Sequence, residues 1–364
     1  MTRPDAVFVS YRLGGTDGVS IEARKWEWAL RELGFETRRV AGELEDGLRP
    51  DDTWIAFLAI EPVDGAAPQP DALGAAVGGA SLVVVENLCS LPLNPVAARV
   101  AAAVFAEHHG RVLFHHHDLP WERPHFAHVH DLPPRRPDSL HVTINDGARR
   151  ALRDRGFDAS TVRNAFDLDP EPGDRTGTRA ALGFGDDDVV VLQPTRAIPR
   201  KNVAAGLQLA EDLAERFARD RRAVRYWLTG PAEDDYEKEL EVLLARARLP
   251  VTTGRAPRPA DAYAAADLVV FPSTWEGFGN PVIETVAARR PLAVGHYPVL
   301  DEIVAVTGLE LLAVDDPDAV EAAVRAPDPA VLERNRNRVR PDFDVRALPD
   351  GLDRLFAQVG WEQW

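Results

Sequence analysis

The chain has 364 residues, of which 45% are hydrophobic and 27% are charged, a composition typical of globular enzymes and sufficient for two domains. Its formal net charge of -16 opposes binding to nucleic acid, and its single cysteine, Cys89, excludes an intrachain disulfide. The first residues lack the long apolar region of a signal peptide, and no apolar run reaches membrane-spanning length. We therefore expect a cytoplasmic protein with at most peripheral membrane contact and no nucleic-acid partner.

Short β-branched runs alternate with longer segments of helical period, which is the pattern of parallel sheets covered by helices. In the first half, strands are predicted at 7–11, 53–60, 81–87, 111–117 and 141–145. After the first strand come a glycine loop and a segment at 20–33 whose apolar spacing predicts a helix, with Gly34 as its C-terminal cap.

The pattern weakens at 167–188, which is rich in Pro, Gly and Asp, and then restarts. In the second half, strands are predicted at 189–195, 224–230, 250–254, 268–273, 291–295 and 310–314, and helices at 202–219, 236–247 and 281–289. This order predicts an α/β protein of two Rossmann-like, doubly wound domains, 1–168 and 169–342. Ligands of such sheets bind at the carboxyl ends of strands, so we expect the active site in a cleft between the domains.

The segment WEGFGNPVIE, residues 275–284, follows the strand predicted to end at Ser273. Pro281 suits the first position of a helix, so Gly277 to Asn280 lead to a helix N-terminus whose N–H groups favour an anion such as a diphosphate. Glu284 is then expected in the first helical turn, where it can accept hydrogen bonds from a vicinal diol such as ribose. Glu276 stays in the loop, so the two carboxylates are expected to contact hydroxyls on either side of a phosphate group.

The spacing Glu-x7-Glu in EGFGNPVIE resembles the signature of glycosyltransferase family 4, whose members are retaining enzymes of the GT-B fold. Several other segments resemble the same family in the same order. PTRAIPRKN, at 194–202, is similar to its Arg-x4-Lys segment, and YRLGGTDGVS to its N-terminal glycine loop. HHHDLPW is similar to the strand end with a His-Asp pair, and VRNAFD, at 162–167, to an Asn-x-x-Asp segment. The resemblance spans most of residues 7–305.

The resemblance implies transfer of a hexose from a nucleoside diphosphate sugar, UDP-sugar or GDP-sugar, with retention of anomeric configuration and without a metal or another cofactor. It implies that the first domain lies on the acceptor side and the second on the donor side, with residues 343–364 packing back on the first domain. Arg196 and Lys201 are expected to hold the donor diphosphate, where fixed cations stabilise the charge that develops on the leaving group.

The resemblance also assigns roles to the remaining site residues. Glu276 is expected to receive hydroxyls of the transferred sugar, and Glu284 the ribose. His117 is expected at the far edge of the sugar or at the reacting centre. Asp118 and Asn164 are assigned to the acceptor side or the cleft. The expected donor-binding set comprises Gly14, Gly15, Gly277, Phe278, Gly279, Asn280 and Glu284.

Three consecutive histidines precede Asp118. On a strand, His115 and His117 share a face while His116 points oppositely, and we favour His117 because it is nearest the strand end. A metal site through His115, His117 and Asp118 is the alternative interpretation. Because no His-Glu-x-x-His or similar ligand spacing occurs on one helix, we predict no metal.

Other functions are compatible with the same fold. A sugar-nucleotide epimerase would require acid–base carboxylates and histidines in a different order, and would interconvert the donor without an acceptor. A sugar-nucleotide-binding protein without turnover is a further alternative, but the intact set Arg196, Lys201, Glu276 and Glu284 argues against it. A dehydrogenase is disfavoured, since GGTDG lacks the G-x-G-x-x-G spacing.

Overall fold

The structure, a computed structural model, describes residues 3–63, 65–233 and 235–361 and divides the chain into two compact units. The first unit comprises the residues up to Ala165 and those from Val345 onward, and the second unit comprises Phe166–Asp344. Each unit contains one parallel sheet with helices, which confirms the predicted α/β class of two doubly wound domains.

The described part of the first unit contains a seven-stranded parallel sheet with the order β3-β2-β1-β4-β5-β6-β7. Its strands are β1 (Asp5–Leu13), β2 (Glu36–Leu44), β3 (Thr53–Trp54), β4 (Leu82–Glu86), β5 (Arg111–His116), β6 (Ser139–Thr143) and β7 (Ala159–Thr161). The covering helices are α1 (Gly18–Glu32), α2 (Pro70–Val77), α3 (Pro95–Glu107) and α4 (Asp146–Arg153). The strand order reverses between β1 and β4, the position at which such sheets open a crevice for ligands.

Three strands of this sheet differ from the prediction, and one of them, the short β7, was not predicted. The charged segment Glu36–Leu44 was not predicted, yet it forms β2, because Arg39 is buried and its guanidinium donates to Asp46 at 2.6 Å and to Asp52 at 3.0 Å. The run 53–60 was predicted as one strand but is a strand only at Thr53–Trp54. Its continuation, Ala56–Leu58, is a 3-10 turn, and the Asn94 amide holds that turn by donating to the carbonyls of Phe57 and Ala59.

The described part of the second unit contains a six-stranded parallel sheet with the order β10-β9-β8-β11-β12-β13. Its strands are β8 (Val189–Gln193), β9 (Val224–Leu228), β10 (Val251–Thr253), β11 (Leu268–Phe271), β12 (Leu292–Val294) and β13 (Leu312–Ala313). All six were predicted, because each is a short apolar run between turn residues.

Helices cover both faces of the second sheet. They are α5 (Arg175–Leu182), α6 (Val203–Phe217), α7 (Glu237–Arg246), α8 (Pro259–Ala265), α9 (Asn280–Ala287), α10 (Pro298–Thr307), α11 (Pro317–Arg325) and α12 (Pro329–Phe343). No helix in residues 3–63, 65–233 or 235–361 is long and apolar enough to cross a bilayer.

The chain returns to the first unit with helix α13 (Leu348–Gln358). The apolar side chains of α13 complete the core that α1 forms on one face of the first sheet, where they join Trp26 and Leu30. They are Leu348, Leu352, Leu355 and Phe356. The first core is therefore built from two segments that are far apart in the sequence.

Candidate active site

Buried polar side chains of β8 and β9 hold the loop that follows β8 in place. Gln193, the last residue of β8, donates through Nε2 to the carbonyl of Lys201 at 3.0 Å and to Thr195 Oγ1 at 3.1 Å. The hydroxyl of Tyr226, on the neighbouring strand β9, donates to Gln193 Oε1 at 2.5 Å. Because every polar atom of the Gln193 amide is engaged, this network fixes the backbone that carries Lys201.

Lys201 and Glu276 form a buried ion pair that a second cation shares. Lys201 Nζ lies 2.5 Å from Glu276 Oε1, and Arg200 Nη1 lies 2.7 Å from Glu276 Oε2. Arg200 also donates to the carbonyl of Trp275 at 3.0 Å. Only 7% of Glu276 is exposed. Glu276 lies in the loop between β11 and α9, and we assigned its carboxylate to sugar hydroxyls. Two cations from the loop after β8 thus hold this carboxylate.

Burial and charge act in opposite directions on this pair. Burial lowers the pKa of Lys201 to about 8, although the Glu276 carboxylate opposes that shift. Burial raises the pKa of Glu276, but Lys201 and Arg200 outweigh it and leave that pKa below its ordinary value. The carboxylate is therefore charged at neutral pH, whereas the ammonium begins to lose its proton in mildly alkaline solution.

Arg196 has a different environment from Lys201. Its side chain is 46% exposed and its guanidinium pairs with Glu233 at 2.5 Å. The cation that reaches Glu276 beside Lys201 is Arg200, which we had not assigned to the site. The motif spacing points to the exposed arginine, and only the fold shows that the residue next to Lys201 turns inward.

Helix α9 begins after Gly279, which adopts a left-handed φ of 100°. A Cβ atom there would lie 2.2 Å from Tyr297 Oη, so glycine is required on both conformational and steric grounds. Because Gly279 is the cap, the helix starts at Asn280 and Pro281 is its second residue, not its first as predicted. Glu284 consequently lies in the second turn, which corrects its expected place in the first.

The N-terminus of α9 retains the properties that favour an anion. No acidic side chain occupies its first turn, and no side chain caps it among the residues that the structure describes. Phe278 is buried against Phe166 and Phe343, with ring centroids at 5.9 and 5.7 Å. The ring of Phe278 is therefore used in packing, and the expected contact of this residue with the donor stays a prediction.

Glu284 is oriented by a neutral partner. Its Oε2 accepts a hydrogen bond of 2.6 Å from the hydroxyl of Tyr263, a buried residue of α8. Burial, followed by the charge of Glu284, raises the pKa of Tyr263 well above its ordinary value, so the phenol remains a donor. Tyr263 was not predicted, because nothing in the local sequence links α8 to the glutamate of α9.

In the first unit, the glycine loop between β1 and α1 lies beside carboxylates. Gly14 has a φ of 83°, and a Cβ atom there would lie 2.1 Å from Asp46 Oδ1. Asp17 caps α1 by accepting from the N–H groups of Val19 and Ser20, and Arg24 donates to the carbonyl of Gly15 at 2.7 Å. The contact of Gly14 and Gly15 with the donor phosphates stays a prediction.

The histidines at the end of β5 occupy two faces, as predicted. His115 Nδ1 and His117 Nε2 each lie 3.0 Å from Oε2 of the buried Glu86, the last residue of β4. On the other face, His116 contacts Ser90 Oγ at 2.5 Å and His141 at 2.9 Å. Glu86 was not predicted, since its only sequence signal is a charge at the end of an apolar strand.

The surroundings of His116 and His117 shift their pKa values in opposite directions. Burial lowers the pKa of His117, but the hydrogen bond to Glu86 outweighs it and leaves that pKa raised. Burial lowers the pKa of His116 far below its ordinary value, and the nearby His141 adds to that shift. The two histidines thus differ in the direction of their pKa shifts, and the functional role of His117 stays a prediction.

The two remaining predicted residues also lie in the first unit. The Asp118 N–H and the His117 N–H both donate to Asn87 Oδ1, at 3.2 and 3.1 Å, and the Asp118 carboxylate pairs with Arg123 at 2.8 Å. Asn164 is buried. The structure thus groups Lys201, Glu276 and Glu284 in the second unit, and His117 and Asp118 in the first.

The chain is similar to known glycosyltransferases. Residues 190–326 match the family described as glycosyl transferases group 1. The chain is 24% identical to a mannosylglucosylglycerate synthase of Petrotoga mobilis, over 96% of this chain and 95% of that protein. It is 26% identical to that of Thermotoga maritima, over 95% of this chain and 96% of that protein.

Solved structures show the same fold. HepE from Anabaena, crystallised with UDP and glucose, aligns with a TM-score of 0.75 and 18% identity over 98% of this chain and all of that one. A sucrose-phosphate synthase from Thermosynechococcus elongatus aligns with a TM-score of 0.74 and 18% identity over 99% of this chain and all of that one. The group 1 match lies in the second unit, which carries the Lys201 and Glu276 loops, and the relatives align along nearly the whole chain. The chain is therefore similar to glycosyltransferases and has the GT-B fold.

Proposed function

We propose that this glycosyltransferase moves a hexose from a nucleoside diphosphate sugar to an acceptor hydroxyl, with retention of configuration and without a metal at the diphosphate. The observation that carries the proposal is the pairing of the buried Lys201 and the half-buried Arg200 with Glu276, which lies four residues before α9 begins. Two cations and a helix N-terminus supply positive potential without any ion, which suits a leaving diphosphate.

The donor and acceptor classes are proposed from the relatives. HepE was crystallised with UDP and with UDP-glucose, which supports a UDP-sugar over the GDP-sugar that we also considered. Two relatives that align along nearly the whole chain are mannosylglucosylglycerate synthases. Glucosylglycerate is therefore the first acceptor to test, with UDP- and GDP-linked hexoses as donors.

The proposed reaction assigns a role to each charged group of the second unit. Lys201 and Arg200 stabilise the charge that grows on the diphosphate as its bond to the sugar breaks, and Arg196 contributes from the exposed side of the same loop. Glu284, oriented by Tyr263, receives the ribose diol. With both glutamates engaged, no carboxylate of the loop acts as a base on the acceptor, and the departing phosphate takes the acceptor proton on the same face of the sugar.

Product stereochemistry tests this assignment. With an α-linked UDP- or GDP-hexose and glucosylglycerate, we expect proton NMR of the first product to show an α-linked sugar. A β-linked product requires a base on the opposite face and would contradict the proposal.

Two other outcomes would identify the alternative functions. Interconversion of the donor without acceptor would identify an epimerase. A nucleotide at 100 times its Kd stabilises the protein that binds it by about 2.7 kcal/mol, which raises Tm. Such a rise in Tm without transfer to any acceptor would identify a binding protein.

The pKa of Lys201, about 8 in the free protein, predicts how nucleotide affinity depends on pH. Only the protonated ammonium attracts a diphosphate, and a bound anion raises its pKa, so binding takes up a proton above about pH 8. We expect the Kd of UDP to rise with pH in that range, by at most about tenfold per pH unit. Calorimetry in buffers of different ionisation enthalpy measures this uptake. Lys201→Arg, which does not titrate there, is the matched control; the same pH dependence in both proteins would rule Lys201 out.

A further inference from the structure

Three ligating side chains converge in the core of the first unit. Glu86 ends β4 and is paired in register with His115 of β5, so their side chains share a face of the sheet. His117 lies two residues further along the chain on the same face. One ligand atom from each of the three residues lies within 4.8 Å of the others, and all three residues are buried. The adjacent ends of two parallel strands thus bring together one carboxylate and two imidazoles.

Hydrogen bonds account for only part of this arrangement. The contact of His117 Nε2 with Glu86 Oε2 is a hydrogen bond, but His115 Nδ1, 3.0 Å from the same oxygen, is not aligned for one. Within the described residues, Glu86 Oε1 and both ring nitrogens of His115 have no hydrogen-bond partner. Fully buried polar atoms without partners are rare and indicate an ion or a water that satisfies them. An ion placed between the three side chains, whose ligand atoms lie within 4.8 Å of one another, would satisfy these atoms.

The charges around the three side chains favour a cation. In the part of the chain that the structure describes, no lysine or arginine pairs with Glu86. Glu22, buried on α1, adds a second negative charge that acts on both histidines, and its own cation is Lys25. Trp26 of the same helix covers His115 with ring centroids at 4.3 Å. The three side chains are therefore covered by an aromatic ring on one side, and, of the described residues, two carboxylates but only one lysine lie among them and their neighbours.

The geometry points to a binding site for a divalent transition-metal ion, with Zn²⁺ the preferred ion, formed by the Glu86 carboxylate, His115 Nδ1 and His117 Nε2. Two imidazoles and one carboxylate are a ligand set of zinc sites with an open fourth position, whereas Mg²⁺ and Ca²⁺ prefer oxygen ligands throughout. The set differs from the one considered from the sequence, because Glu86 replaces Asp118. The ion occupies Nε2 of His117 and so leaves Nδ1–H as the ring's remaining donor.

This site does not depend on the proposed donor chemistry, which uses cations of the second unit. The first measurement is the metal content of the full-length protein purified without chelators and then incubated with Zn²⁺. We expect one equivalent of zinc after dialysis, and a visible absorption spectrum of low-coordinate Co²⁺ when cobalt replaces it. A folded wild-type protein that retains no metal and gives only the spectrum of aqueous Co²⁺ would overturn the proposal without any variant.

Variants then identify the ligands. Glu86→Gln, His115→Gln and His117→Gln are each expected to weaken Zn²⁺ at least about a hundredfold in competition with a chromophoric chelator, since even changes outside the ligand set cost 10–100-fold. His116→Gln is the matched control, because His116 is a buried histidine of the same strand that points to the other face. Should that variant not fold, His141→Gln replaces it. Equal loss of zinc in ligand and control variants, at unchanged circular dichroism, would contradict the assignment.

Discussion

Replacing Lys201 with alanine is expected to lower kcat by about 100- to 1,000-fold, the effect of removing a fixed donor that meets charge developing in the transition state. Lys201 is the buried cation of the loop, and Gln193 holds the backbone that carries it. KM for the donor is expected to change less, because Arg200 and the N-terminus of α9 remain. Steady-state transfer from a radiolabelled nucleotide sugar measures both constants.

Two further variants control this result. Lys201→Arg keeps a cation and is expected to retain more turnover than Lys201→Ala, which a purely structural role for the lysine would not predict. Arg248→Ala removes an arginine of the same unit whose side chain is 61% exposed and pairs with Glu211, and it is expected to leave kcat unchanged. Equal kcat for Lys201→Ala and wild type would remove Lys201 from the reaction.

Glu276→Ala is expected to reduce the free energy of unfolding by about 3–5 kcal/mol, because it leaves Lys201 buried beside Arg200 without their shared counter-charge. Glu284→Ala is the comparison, since Glu284 accepts from a neutral phenol and the loss of that bond costs about 1–3 kcal/mol. Urea denaturation at pH 7 measures both. A larger loss for Glu284→Ala than for Glu276→Ala would contradict the ion-pair argument.

Variants at the same two glutamates separate their roles in ligand binding. Glu284→Ala is expected to weaken UDP by about 1.5–3 kcal/mol, the range for hydrogen bonds to a charged group. Glu276→Gln retains the shape of the side chain and is expected to reduce turnover more than UDP affinity at a pH where Lys201 is protonated.

Strand β2 shows where the prediction of the fold fails. The apolar strands of the second unit are visible in the sequence because burial on both faces selects continuous hydrophobic runs. Glu36–Leu44 contains two arginines and two glutamates, and the segment is a strand only because Asp46 and Asp52 neutralise Arg39 in the core. That compensation depends on the fold and has no local signal.

The residues of the candidate site likewise fall into those that the sequence predicts and those that it does not. Lys201, Glu276 and Glu284 were predicted because each belongs to a short motif next to a strand end. Arg200, Tyr263 and Glu86 were missed because each contacts a residue of a different element. Arg200 joins two loops about 75 residues apart, Tyr263 joins α8 to α9, and Glu86 joins β4 to β5. Spacing within a motif predicts candidate ligand-binding side chains, but the residues that orient them come from neighbouring elements.

The return of α13 to the first unit has a consequence for how the protein is made. On a ribosome that adds about 5–20 residues per second, Phe166–Asp344 can complete its fold as one uninterrupted segment. After Ala165 has been added, the nascent first unit waits roughly 10–40 s for α13 to be synthesised. During that time Trp26 and Leu30 of its core are not yet covered by that helix. In the growing chain, the unit that is translated second is thus the first able to finish folding.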